Sequence, residues 1–412
     1  MERLISLLGY FVLILLAWAM SSNHRLFPWR LVLAGTGLQF ALAAFTLLSP
    51  PGRAAFKWIG DFFDQMLTFT DAGSNFVFGE TFTDHFFAFK VLPTIIFFSC
   101  FMTVLYYLGV MQVVVKAMAW VMQKTLGTSG AETLSAAANV FLGQTEAPLV
   151  IKPYLPGMTV SELNAIMIGG FANISGGVLA AFVQMGIDAG HLVTASVISA
   201  PASLLIAKII EPETEKPQTL GTVKLAVPPV GANIIEAAAI GTIDGLKLAL
   251  NVAAMLIAFM ALIAMGDFCV QWVGDQIAHH TGWLWADTWS LRNMLATAFA
   301  PLAWLLGIPW QDCGYAGELL GTKMFANEFV AYKQLSQWMK PTSPVQLQDR
   351  SETILTYALC GFSNFASIGI QIGGLGGLAP ERQSDLARLG LRAMLGGTLA
   401  TLMTATIAGM LL

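Results

Sequence analysis

Residues 163–187, LNAIMIGGFANISGGVLAAFVQMGI, decide the fold. No charged side chain interrupts them, and a helix of that length crosses the roughly 30 Å hydrocarbon layer of a bilayer. The centre of the stretch is nevertheless a poor helix interior. Glycine and asparagine tolerate non-helical dihedrals, so Gly170-Phe171-Ala172-Asn173, followed by Gly176 and Gly177, predicts a membrane span broken near Asn173. A broken helix leaves carbonyls and N–H groups without intrahelical partners. Inside a membrane a cation or a polar substrate can satisfy them, and this break offers carbonyls near Asn173 and Ile174.

Outward from this stretch, the chain repeats itself. Gly361-Phe362-Ser363-Asn364 lies inside a second charge-free run, 353–380, where Asn364 and Ser367 offer side chains. Each motif follows an apolar hairpin carrying an acid, Glu146 in 133–151 and Glu328 in 313–332, the latter preceded by 293–311. Each is followed by paired glycines, Gly176 and Gly177 or Gly373 and Gly374. Charges are costly in hydrocarbon and are kept where they face a cavity, as is non-helical backbone. Both hairpins therefore read as re-entrant. Inverted repeats with broken helices and a midplane substrate site are the architecture of secondary transporters.

The rest of the chain agrees. Of 412 residues, 56% are hydrophobic and 11% charged, less than half the charge of a soluble domain. Charge-free runs at 4–23, 31–52, 91–115, 163–187, 192–207, 248–266, 353–380 and 393–412 predict about eight spans, the first retained rather than cleaved. Lysine and arginine place the N-terminus outside, with the acidic segments 53–90 and 267–292 external and the linker 212–229, including Lys224, cytoplasmic. Asp287 falls in the external loop. Residues 54–70 repeat apolar side chains at helical spacing and read as an interfacial amphipathic helix. The fold class is thus an all-α polytopic membrane protein: about eight transmembrane helices and two oppositely oriented re-entrant hairpins in an inverted repeat. The net charge of -4 and the lack of a basic block exclude a nucleic-acid binder. Four scattered cysteines and five histidines form no metal-ligand spacing.

Three segments carry a resemblance. GQTEAPLVIKPYLPGMTVSEL at 143–163, GTKMFANEFVAY at 321–332 and GFSNFASIGIQIGGLG at 361–376 resemble the signatures of the concentrative nucleoside transporter family, over about 90–400. The resemblance implies a bacterial inner-membrane carrier importing nucleosides on a cation gradient, sodium favoured and proton the alternative. It also implies a homotrimer and an elevator motion. The expected segments are N-terminal spans and interfacial helix 1–90, scaffold span 91–124, repeat one 125–211, linker and scaffold span 212–290, and repeat two 291–412. By motif position, Gln144, Thr145, Glu146 and Val178 should face the nucleobase. Glu328, Asn364 and Ser367 should face the ribose, with Phe362 packed beside the sugar or base. The sodium ligands should be Asn139, Leu142 through its carbonyl, Asn173 and Ile174 through its carbonyl. Asn173 stands where sodium-coupled members commonly have a small hydroxyl residue.

Structural readings compete. Glu146 or Glu328 could pair with lysine, Gln144 and Thr145 could only cap a helix, and Asn139 could bond only to backbone. Glu318 and Lys323 read as structural. A membrane hydrolase needs a nucleophile with an orienting base or a metal, and Ser367 has no histidine in its span. A channel has no use for two asymmetric polar half-sites, so the chain reads as a carrier and not an enzyme. Purines and pyrimidines are not ranked by these residues.

Overall fold

The computed structural model describes residues 1–220, 231–282 and 289–412; Lys224 and Asp287 lie outside them. Two helices, α1 (Glu2–Ala19) and α2 (Trp29–Leu48), open the chain. Helix α3 (Pro50–Phe78) begins at Ser49, whose hydroxyl accepts from the Gly52 N–H at 3.0 Å. It is the amphipathic helix expected over 54–70, longer at both ends, and its Phe63 stacks on Phe98 at 5.2 Å. Helix α4 (Leu92–Tyr107) stops at Gly109, whose φ of 80° is left-handed backbone that glycine takes without strain. The apolar run 91–115 is therefore two elements, not one span, because α5 (Val110–Leu126) starts afresh beyond that glycine.

The first hairpin comprises α6 (Gly130–Ala138), a tip, and a returning 3-10 arm, Ala147–Gly157. The sequence reading ended this arm at 151. Pro148, Pro153 and Pro156 explain its form, since proline removes the N–H that an α-helix interior needs. The broken span follows as α7 (Val160–Ala172) and α8 (Gly176–Gln184), separated by Asn173, Ile174 and Ser175. Thr159 and Glu162 start α7 with a reciprocal capping box. Helix α9 (Ala189–Ile210) closes the first unit, and its buried Lys208 bridges Glu132 at 2.8 Å and Glu213 at 3.2 Å.

Helices α10 (Ile234–Thr281) and α11 (Leu291–Leu305) lead to a second unit. It has the same succession, through α12 (Cys313–Phe325), α13 (Glu328–Trp338), α14 (Asp349–Leu359), α15 (Phe365–Leu378) and α16 (Gln383–Leu411). The boundaries of the second hairpin differ from those read in sequence. Helices α11 and α12 do fold back on each other, but the turn bearing Glu328 lies at Ala326–Asn327, between α12 and α13. Asn327 marks it by accepting from the Val330 N–H at 3.0 Å, which begins α13.

Seven helices among the described residues are long and apolar enough to cross a membrane. The broken α7–α8 segment, Val160–Gln184, is among them; the run 353–380 is not, because its longer break at Cys360–Asn364 leaves α14 and α15 at 11 and 14 residues. Helix α10 has 48 residues and leans on α4 through Gly241, Gly245 and Ala249. A Cβ at Gly245 would stand 2.8 Å from the Ile96 Cα, so this small-residue face brings the two backbones close. Helices α7, α9, α14 and α16 form the buried body. There the two repeated motifs touch, for a Cβ on Gly361 would stand 2.8 Å from the Phe171 carbonyl oxygen.

Candidate functional site

At the first break, the start of α8 and the tip of the first hairpin are joined by a 2.9 Å bond from the Gly176 N–H to the Phe141 carbonyl. Ser199 on α9 ties the Ala172 carbonyl at 2.7 Å. Asn139, at the end of α6, is 1% exposed, and neither its amide oxygen nor its amide nitrogen has a hydrogen-bond partner. Asn173 donates to the Gly169 carbonyl at 3.4 Å, while its buried Oδ1 has no partner. The two asparagines lie on the same patch of α7, since a Cβ at Gly169 would stand 3.3 Å from Asn139 Nδ2. Buried polar atoms without partners are rare and need an explanation. Oxygen donors of this kind fit a hard cation. Leu142 and Ile174 flank these asparagines, at the hairpin tip and in the break; Leu142 is partly exposed and Ile174 buried. The reading of Asn139 as bonded only to backbone does not hold.

At the second break, Asn364 does two things. Its Oδ1 accepts from the Ser367 N–H at 2.9 Å, which starts α15, and its Nδ2 donates to Glu328 Oε2 at 2.9 Å. The first bond fixes the amide orientation, so Glu328 meets the nitrogen and is held as an acceptor. Glu328, Asn364 and Ser367 are all buried. Phe362 is also buried, within the break, and Val178 is fully buried near the start of α8. No lysine or arginine lies within ion-pair distance of Glu146 or Glu328 among the described residues. Glu318 is different: it pairs with Arg292 at 2.7 Å and bonds Gln334, a structural role.

Sequence reading missed Gln371. This fully buried side chain on α15 donates from Nε2 to the Gln144 Oε1 and to the Met167 carbonyl, both at 3.1 Å. A carbonyl can only accept, so Met167 fixes the Gln371 amide, and Gln371 in turn fixes Gln144 with its own nitrogen turned away. Thr145 packs against Gly374, where a Cβ would stand 2.6 Å from its methyl. Glu146 is exposed and folds back over Gly143. The signal for Gln371 was present: an amide in a charge-free run, one turn beyond Ser367.

Asn364, Ser367, Gln371 and Gly374 recur at three- and four-residue spacing, so they share one face of α15. That face meets Glu328 of the second hairpin at one end and Gln144 and Thr145 of the first at the other. Ser367 and Gln371 are one helical turn apart, about 6 Å. The arrangement can hold a ligand whose hydroxyls meet a carboxylate and whose other end meets amide and hydroxyl groups.

Comparison with known proteins bears on that ligand. Residues 191–409 match the family described as Na+ dependent nucleoside transporter C-terminus, 8–81 its N-terminus, and 88–189 the nucleoside recognition (Gate) family. The chain is 45% identical over 424 residues to sodium/nucleoside cotransporter 1 of Rattus norvegicus, covering 100% of this chain and 64% of the relative. It is 44% identical over 421 residues to solute carrier family 28 member 3 of Homo sapiens, covering 100% of this chain and 60% of that protein. The chain thus spans less than two thirds of the length of these relatives. Among solved structures, CNTnw in an inward-facing substrate-bound state superposes with a TM-score of 0.92 at 43% identity, covering 100% of this chain and 98% of that one. A CNTnw double variant in an outward-facing state gives 0.93 at 42%, with the same coverage.

Proposed function

Because this chain belongs to the concentrative, sodium-dependent nucleoside transporter family, we propose that it is a secondary carrier importing nucleosides on a sodium gradient. One observation carries the reading: a single face of α15 meets the carboxylate-bearing hairpin at one end and the amide-bearing hairpin at the other. A nucleoside has a matching polarity, with ribose hydroxyls at one end and a base edge at the other. Glu328, Asn364 and Ser367 bind the ribose, a carboxylate being the strong acceptor for hydroxyl donors. Gln144, Thr145 and Glu146 read the base, with Val178 and Phe362 packing on its apolar faces. Gln144 presents its amide nitrogen, so it selects an acceptor atom on the base.

Sodium occupies the first break, between Asn139, the Leu142 carbonyl, Asn173 and the Ile174 carbonyl. It supplies the positive charge that the partnerless oxygens of Asn139 and Asn173 lack. The hairpin tip contributes to both sites, so each ligand favours the geometry the other needs, and their affinities rise together. Segments 125–211 and 291–412 move as one transport body against a scaffold of 1–90, 91–124 and 212–290, in an elevator motion within a homotrimer. Within those bodies α16 packs on α7 and α9, and α10 on α4; α1 on α16 and α2 on α9 pack across them. The setting is a bacterial inner membrane.

A rival has proton rather than sodium coupling, through Glu146 or Glu328. Uptake of radiolabelled nucleosides into proteoliposomes, with sodium and pH gradients imposed separately, decides between them. Accumulation should follow sodium at constant pH. Uptake that follows the pH gradient and ignores sodium would move coupling to the carboxylates, and no saturable uptake of any nucleoside would overturn the function.

A further inference from the structure

Lys323 lies in the last turn of α12 and is 3% exposed. Its ammonium donates to the Ala358 carbonyl at 2.9 Å and to the Thr401 hydroxyl at 3.2 Å. No carboxylate is within 4.0 Å of it among the described residues; Glu328 begins α13 just beyond the turn at Ala326–Asn327. A buried charge is normally paired. This one is instead held by neutral oxygens, a backbone carbonyl and a hydroxyl, which is how a protein holds a bare monovalent cation.

Its position has a counterpart in the first repeat. There the end of the first hairpin arm (Asn139) meets the last turn of the first half-helix (Gly169), beside a hydroxyl from the span that follows. A Cβ at Gly169 would stand 3.8 Å from that hydroxyl, Ser203 Oγ. In the second repeat the end of the first hairpin arm (Lys323) meets the last turn of the first half-helix (Ala358), beside a hydroxyl of the span that follows (Thr401). The three elements correspond one to one: α6 to α12, α7 to α14, α9 to α16. In the first repeat Ser203 Oγ donates to the Ala200 carbonyl at 2.8 Å and the Gly169 carbonyl accepts from Asn173, but both amide atoms of Asn139 at this junction lack partners. In the second, an ammonium fills the junction.

We propose that Lys323 is a tethered cation: its ammonium takes, in the second repeat, the place a free monovalent cation takes in the first. It acts as a positioning residue, keeping the second break closed around a positive charge and keeping Glu328 in its acceptor form without drawing it into a salt bridge. Glu328 then remains free for substrate, a point that rests on the function proposed above. Only the first-repeat cation would exchange with solvent during transport.

Chemical rescue tests this. In K323A the missing atoms are those of n-propylammonium, and 1-propanol has a similar shape without the charge. Purified K323A should bind a nucleoside at least about tenfold more weakly than the parent, roughly 1.4 kcal/mol. It should also melt at a lower temperature. Propylammonium, present from solubilisation onward, should restore both properties saturably, and propanol neither. K323M fills the space without charge, so it should share the affinity loss, keep a sodium-induced melting shift and ignore the amine. Parental affinity in K323M, or failure of the amine to act on K323A in recovery, melting or binding, would overturn the proposal. A parent that binds no nucleoside would defeat the proposed function instead, and amine rescue of K323A melting would still judge Lys323.

Discussion

Replacing Glu328 with glutamine tests the proposed ribose site most directly, because the surrounding hydrogen bonds dictate how the new amide must sit. Asn364 Oδ1 is engaged by the Ser367 N–H, so its nitrogen faces residue 328. A glutamine there must turn its oxygen toward Asn364 to keep that 2.9 Å bond. Its NH2 group then points where the second carboxylate oxygen was. The substrate meets a donor in place of an acceptor. Each hydrogen bond to a charged group contributes about 1.5–3 kcal/mol, so losing one weakens binding roughly tenfold or more. Calorimetric titration of the purified protein in saturating sodium, with uridine, 2′-deoxyuridine and 3′-deoxyuridine, provides the assay. The penalty of E328Q should be largest for uridine and should shrink for whichever deoxy analogue lacks the hydroxyl that Glu328 accepts. An equal penalty for all three sugars, or none, would refute the assignment, since Glu328 would then act on the fold and not on the ribose.

Other expectations follow from the same geometry. Asn173→Leu removes the partnerless Oδ1 at similar size, so sodium-stimulated uptake should fall more than sodium-free binding does; equal losses in both would remove Asn173 from the cation site. Gly170→Ala places a methyl 2.6 Å from Gln371 Nε2, dislodging it from Gln144. Nucleoside affinity should drop by about one neutral hydrogen bond, 0.5–1.5 kcal/mol, while the sodium-induced melting shift persists. Lys216 and Lys340 are both exposed. Single cysteines in their places, in a background lacking the exposed Cys269, should label from inside and outside respectively with an impermeant reagent. Labelling of both from one face would contradict the orientation drawn from charge.

Sequence patterns that act locally were readable before the structure. The break at Asn173 and its echo at Asn364 were legible because glycine, asparagine and serine caps stop and restart helices whatever surrounds them. Matched acids in apolar hairpins were legible because charge is so scarce in this chain. The exact limits of the hairpins were not. Residues 147–157 are apolar enough for a helix, and three prolines turn them into a 3-10 arm instead. Residues 293–311 and 313–332 looked like the two arms of one hairpin, since hydropathy does not register which turn carries the tip. Gln371 escaped because its importance lies in two partners more than two hundred positions away, Gln144 and Met167. In sequence Lys323 reads as a structural residue, and only the junction it shares with Ala358 and Thr401 suggests the role proposed for it.

Helix α10 has a consequence for the surrounding lipid. Its charge-free centre, 248–266, lies between Lys247 and Asp267 and measures about 28 Å at 1.5 Å per residue. That nearly equals the hydrocarbon thickness of an ordinary bilayer, leaving little slack for tilt. The helix presents Leu250, Ile257, Met260, Leu262 and Met265 outward, and its small-residue face binds it to α4. Longer acyl chains would press on Lys247 and Asp267 from both sides, and the strain would pass straight to α4. Acyl-chain length in reconstituted vesicles thus becomes a dial on this protein, acting through a helix that contributes no residue to the proposed substrate and ion sites.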